Sequence, residues 1–190
     1  YASIDFGGAI LRGADFRLDG FVGYHYLNQH MMAYGCTQLA GNTSICSPAV
    51  VDDVGVISQE NTWHALRLGL NADLPLFAGF RLNLEAVWLP YVWYSGADSH
   101  LLRIGTTAGD FTGPIPEDGT GTGYQFEAVL TYKVDKNIDI GVGGRYWRME
   151  SHGSAHFENR IVGFTSYPQP LDWKTEHYGI FLQGSYKFAL

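Results

Sequence analysis

No stretch of this chain reaches the 18 consecutive apolar residues that mark a membrane-crossing helix, although 46% of its residues are hydrophobic. Charge is equally scarce, since Asp, Glu, Lys and Arg together make up only 16% of the sequence. Acids outnumber bases by 19 to 12, leaving a net charge of −7. No basic stripe is available to neutralise phosphates, which excludes nucleic acid as a partner. The catalytic signatures read most easily from sequence are also missing: there is no Gly-x-Ser-x-Gly elbow and no phosphate-binding loop. Gly141-Val142-Gly143-Gly144 lies in a strand-like run, and Asn42-Thr43-Ser44 reads as a plain polar loop tip.

Glycine and aromatics are present in quantity, with 24 Gly, 12 Tyr, 11 Phe and 5 Trp in 190 residues. Such a composition suits strands, tight turns and interfacial aromatic girdles better than long helices. Seven segments alternate with period two, at about 1–11, 15–32, 62–73, 80–94, 124–134, 138–150 and 175–190. In the third, Leu66, Leu68, Leu70 and Ala72 oppose Arg67, Asn71 and Asp73. In the fourth, Phe80, Leu82, Leu84, Ala86, Trp88, Val92 and Tyr94 read as one face against Arg81, Asn83 and Glu85. In the fifth, Tyr124, Phe126, Ala128, Leu130, Tyr132 and Val134 oppose Gln125, Glu127, Thr131 and Lys133.

A soluble sandwich or a lipocalin-like barrel also alternates, so the connections decide. They alternate strictly between short turns (Arg12–Asp15, Leu74–Ala78, Asp135–Asn137) and long polar loops at about 33–54, 97–121 and 151–174. Short inner turns with long outer loops are the habit of outer-membrane barrels, whose tilted strands need about 9–11 residues to cross. The predicted fold is all-β, a transmembrane antiparallel up-and-down barrel of the bacterial outer-membrane type, forming one domain over 1–190. With the long loops outside, the last strand runs inward and the C-terminus is periplasmic. Even strand numbers with both ends inside then require an odd number of further strands ahead of Tyr1. These strands, or another polypeptide, would close the barrel, because an open edge in lipid is not tolerable. Any export signal would also lie upstream.

The charged residues on the other face, including Asp5, Arg67, Glu85, Glu127 and Arg145, carry both signs. In a narrow barrel they must pair and plug the lumen, whereas a wide channel would leave them solvated. Cys36 and Cys46 sit in a polar loop and read as a small disulfide of an oxidising compartment, with two free thiols as the alternative.

One constellation carries chemistry. Asp98-Ser99-His100 follows the fourth strand, and residues two apart on an extended backbone project to the same side. A carboxylate beside an imidazole orients the ring, raises its basicity and lets it take a proton from water. Adjacent Asp52 and Asp53 point to opposite faces and make no acid pair. His152 and His156 have no convincing metal-ligand partners.

The segment Phe80 to His100, with its Val92-x-x-Ser95 stretch and closing Asp98-x-His100, resembles the seventh strand and fourth outer loop of omptins, ten-stranded outer-membrane endopeptidases. Tyr124 to Arg148, turning at Asp135-Lys136-Asn137, resembles the next two omptin strands, and Gly184 to Phe188 the closing one. The resemblance makes the seven strands equivalent to omptin strands four to ten, of about ten in the complete barrel. It implies that Asp98 orients His100, the general base, and that two further aspartates on a strand ahead of Tyr1 complete the water-holding set. It also implies outer-membrane lipid as surroundings, exposed polypeptides as substrate, no cofactor, lipopolysaccharide as activator, and Arg148 at the rim as a lipopolysaccharide contact. Gly96 stands where omptins cleaving after basic residues carry a substrate-binding acid, and the Cys36–Cys46 loop has no omptin counterpart. The competing expectation is a barrel without catalysis, serving as a narrow channel or as a structural and surface-interaction protein.

Overall fold

The computed structural model describes residues 1–37, 46, 48–104, 111–159, 164–165 and 168–188. The Asn42-Thr43-Ser44 tip and the last two residues fall outside them. Nine strands follow in order: β1 (Ala2–Arg12), β2 (Arg17–Cys36), β3 (Val50–Pro75), β4 (Phe80–His100), β5 (Ile115–Lys133), β6 (Ile138–Ala155), β7 (Glu158–Asn159), β8 (Phe164–Thr165) and β9 (Gln169–Tyr186). A 3-10 turn, Leu101–Arg103, follows β4. The long strands form one seven-stranded antiparallel sheet in the order β1-β2-β3-β4-β5-β6-β9, and β7 pairs with β8 as a separate ribbon. This is the up-and-down all-β architecture that the alternation predicts. β1 and β9 are its edges and are not paired with each other. Side chains nevertheless meet across the enclosed space: Thr175 Oγ1 donates to Gln29 Oε1 at 3.2 Å, and Arg145 Nη1 to the Tyr1 hydroxyl at 2.9 Å.

The seven segments are found, but several are much longer than the sequence suggested. β3 begins at Val50 rather than about 62, β5 at Ile115 rather than about 124, and β9 at Gln169 rather than about 175. The polar composition of these extensions resembles loop, yet cross-strand hydrogen bonds hold them as ladder beyond the apolar band. The tight inner turns stand where expected. Between β3 and β4 the chain reverses through Ala78 and Gly79, both left-handed at φ +50° and +86°, a conformation that glycine adopts without strain.

One face of the sheet is apolar and open. Ile4, Phe6, Val22, Leu66, Leu68, Leu70, Leu130, Val142 and Leu182 are all exposed, and Ile180 is 90% exposed. Aromatics border this band toward the long connections, with Trp88, Tyr91, Trp93, Tyr124, Phe126 and Tyr178, and toward the tight turns, with Phe77, Tyr132, Tyr186 and Phe188. Such an apolar belt between aromatic girdles is what a sheet presents to lipid.

The opposite face holds the charges, and they pair. Arg67, nearly buried, meets Asp5 at 2.9 Å, Glu85 at 3.0 Å and Gln125. Arg81 joins Asp73 at 2.8 Å, Lys187 joins Asp139 at 3.0 Å, and Arg145 joins Glu127. The pairing expected of a narrow, filled lumen is therefore present along this face. Above it lies an apolar collar of Leu27, Trp63, Ala65, Val87, Leu89, Val92, Tyr94 and Met149, with Phe21 and Trp173 packed against it.

A bulge in β4 corrects the face assignment of its outer half. Val92 and Tyr94 read in the sequence as companions of Trp88 on the lipid side. They are in fact buried at 0% and 1% exposure, while Tyr91 and Trp93 face outward. Leu89 pairs with Gly123 and Val92 with Gly121, so Pro90 and Tyr91 together oppose one residue of β5. The β3 side shows the same shift between Ala65 and Leu68. Proline has no N–H to give to a ladder and is confined in sheets to edges, first positions and bulges. One extra residue reverses the alternation for everything that follows.

Candidate functional site at the outer mouth

The bulge is what directs Asp98 and His100. In an uninterrupted strand, even-numbered residues beyond Trp88 would continue onto the lipid face. After the bulge they follow Val92 and Tyr94 inward. Read outward along β4, the inner column runs Arg81, Asn83 and Glu85, then Val87, Leu89, Val92 and Tyr94, then Gly96, Asp98 and His100. The pair is strand rather than loop, because β4 stays hydrogen-bonded to β3 as far as His100. It stands above the collar and beyond the outer aromatics.

His100 Nδ1 lies 3.6 Å from Asp98 Oδ1, with the two side chains 29% and 22% exposed. Both atoms are themselves buried, and neither has a hydrogen-bond partner among the described residues. Burial pushes the Asp98 carboxyl above its ordinary range, and the neighbouring imidazole opposes that rise. The separation is slightly too long for a hydrogen bond. With Nδ1 turned to the carboxylate, Nε2 is the nitrogen left to act as a base. On one side the His100 ring packs against Phe111 at a centroid distance of 5.0 Å, and Phe111 packs in turn on Phe157 at 5.9 Å.

Just below the pair is a polar network that sequence reading missed. Glu117 Oε2 is met by Gln59 Nε2 at 2.7 Å, the Tyr94 hydroxyl at 2.8 Å and Trp173 Nε1 at 3.1 Å. Gln59 also donates to Asn61 Oδ1 at 2.9 Å, and the Tyr94 hydroxyl reaches the same oxygen at 2.5 Å. Four strands thus contribute to one buried cluster. Its sequence signal was hidden by the face assigned to Tyr94, by the loop assigned to Glu117, and because Gln59 lay ahead of the strand read at 62–73.

Arg148 lies on the outward face of β6, in register with Tyr124 and Glu176. It bonds Glu150 through Nε at 2.9 Å. Lys174 of β9 binds Glu176 at 2.5 Å, and Glu176 also accepts from the Tyr146 hydroxyl at 2.8 Å. Two bases therefore share the outer rim where the sequence singled out one. Cys36 and Cys46 are joined by a disulfide, their Cα atoms 5.5 Å apart, at the tip of β2. His152 of β6 pairs with Asp172 of β9 at 2.7 Å, both side chains exposed, and not with His100 of β4. Among the described residues no group of three His, Cys, Asp or Glu side chains is arranged to hold a metal ion.

No family model matches the chain, and no curated protein sequence does. Among solved structures, the outer membrane protease OmpT from Escherichia coli matches with a TM-score of 0.69 at 16% identity. The match covers 97% of this chain and 62% of that one. The chain thus has the fold of an outer-membrane barrel and spans less than two thirds of its neighbour's length.

Proposed function

We propose that this chain is part of an outer-membrane endopeptidase in which Asp98 and His100 activate water against exposed polypeptides. The observation that carries the reading is the β4 bulge, which turns both residues inward at the mouth of an OmpT-like barrel, 3.6 Å apart. Asp98 orients the ring and stabilises the imidazolium, and His100 Nε2 takes the proton from the attacking water. A second pair of acids, carried by a part of the protein beyond β1, holds that water from the opposite wall. The long strand extensions point to the cell exterior and the C-terminus to the periplasm. Because unpaired backbone in lipid costs several kcal/mol per group, additional strands close the barrel across β1 and β9. Lipopolysaccharide is the activator, with Arg148 and Lys174 at the rim receiving its phosphates.

The test is hydrolysis of exposed peptides by the full-length protein refolded with lipopolysaccharide. His100→Ala should lower turnover by about 10²–10⁴, as for a lost general base. Asp98→Asn should also impair it, because an amide cannot stabilise the imidazolium. His152→Ala, altering an exposed histidine on another strand, should leave turnover intact. Folded wild-type protein that cleaves nothing, or a fully active His100→Ala variant, removes the peptidase reading and leaves a barrel without catalysis. For that second reading the ion pairs of Arg67, Arg81 and Arg145 along the inner face favour a structural or surface-interaction role over a channel.

A further inference from the structure

The walls beside Asp98 and His100 can be read row by row, because directly paired residues of neighbouring strands share a face. Gln59 faces inward, as its bonds to Asn61 and Glu117 require. Its register partners are Met31 on β2 and Asp98 on β4. The next row outward is Ala33, Ile57 and His100. On the β2–β3 side, the pair is therefore flanked by Met31, Ala33 and Ile57. On the β5 side stand Ile115, which is the register partner of Asp98 and is buried, and Phe111, against the His100 ring.

Among the described residues these two rows contain no carboxylate except Asp98 itself. The inward-facing acid of the next row below is Glu117, beside Gly96. It is 7% exposed, and one oxygen already receives three donors, so it ties the floor together. An ammonium or guanidinium entering here would exchange its hydration shell for thioether, methyl groups and a Phe111 ring already faced by the Arg103 guanidinium at 4.8 Å, with Asp98 beside His100 as the single carboxylate among the described residues of these rows. An aliphatic or aromatic side chain would gain from the same surroundings.

Resting on the peptidase reading, we infer that the inner wall flanking His100, formed by Met31, Ala33, Ile57 and Phe111 and backed by buried Ile115, is one side of a pocket that receives a large apolar side chain of the substrate polypeptide and not a basic one. The pocket then sets which peptide bond is presented to the activated water. Phe, Leu or Met beside the scissile bond is favoured over Lys or Arg.

The experiment uses full-length protein in lipopolysaccharide micelles and Gly/Ser-rich peptides that differ at one position, carrying Phe, Leu, Met, Lys or Arg. The expected kcat/KM for the apolar members exceeds that for Lys and Arg by about 10-fold or more, the scale on which apolar pockets discriminate. Met31→Glu, altering a half-exposed residue that is tolerant of change, and Ile57→Glu should each erase or invert that preference. A preference for Lys or Arg in wild type, or a preference unchanged in both variants, overturns the inference. Binding is read separately, by fluorescence anisotropy of labelled Phe and Lys peptides on the His100→Ala protein. The Phe peptide should bind about 10-fold tighter, and equal binding overturns the pocket. Selective binding of Phe peptides by a wild-type protein that cuts none of them leaves the pocket standing and removes the peptidase reading. Cleavage confined to Lys or Arg peptides does the reverse.

Discussion

Gly96 and Glu117 are register partners on β4 and β5, and a Cβ on Gly96 would stand 2.8 Å from Glu117 Oε2 and 2.1 Å from the Tyr94 hydroxyl. The absence of a side chain at this position is what lets the Tyr94–Glu117 hydrogen bond form beneath the site. Gly96→Ala should therefore destabilise the barrel by about 1–3 kcal/mol through overpacking, although its backbone needs no special conformation. Gly96→Asp should cost more, since it adds a second carboxylate beside a buried one. Denaturant unfolding in detergent micelles, with tryptophan fluorescence reporting Trp173, measures both. A Gly96→Ala protein as stable as wild type would contradict the close approach.

The two faces are separable by single charges. Leu68→Arg and Leu130→Arg put a cation into lipid and should cost about 2–4 kcal/mol near the midplane, whereas Thr131→Arg, on the inner face, should be far milder. The bulge adds a sharper contrast. Val92→Asp buries a charge in the collar and should cost more than about 3 kcal/mol, while the same change at Tyr91, on the outer rim, should cost less. Folding titrations into lipid vesicles report all five variants. Equal penalties at Val92 and Tyr91 would place no bulge between them and Trp88.

Reduction of Cys36–Cys46 should loosen the β2 tip and leave the barrel folded. The two residues are ten apart, and a loop of that size contributes at most about 3 kcal/mol, most of it local. Limited proteolysis with and without reductant would show new cleavage near the tip alone. Mass spectrometry finding both thiols free in exported protein would end the assignment.

Asp98 should titrate above the ordinary carboxylate range, because burial disfavours its charged form more than His100 favours it. A carboxyl whose pKa is raised on folding contributes stability only while protonated. Its contribution is full below the unfolded value near 3.8 and is lost as the pH rises through the folded one. His100→Ala removes the group that opposes the rise, so the Asp98 pKa should rise further. Carboxyl carbon chemical shifts followed against pH measure both proteins, and a downward shift in the variant would reverse the assigned cause.

Alternation, together with connections that switch between short turns and long loops, determined an all-β barrel with one apolar outer face, because each strand in such a barrel meets two different solvents and records them residue by residue. Leu66, Leu68 and Leu70 against Arg67 carried that information without any neighbour being known. The Asp98-x-His100 spacing likewise placed both side chains on one side of an extended backbone. Which side it was could not be read, because a single inserted residue at Pro90–Tyr91 inverts the parity, and a bulge is defined only by the partner strands it is paired with. The strand extensions of β3, β5 and β9 escaped notice for a related reason. Beyond the apolar band the outward face is no longer consistently apolar, so ladder hydrogen bonds hold the strand and no sustained two-faced alternation marks it. Gln59, Asn61, Tyr94, Glu117 and Trp173 lie as much as 114 positions apart in sequence (173 − 59), and only the antiparallel register brings them around one carboxylate.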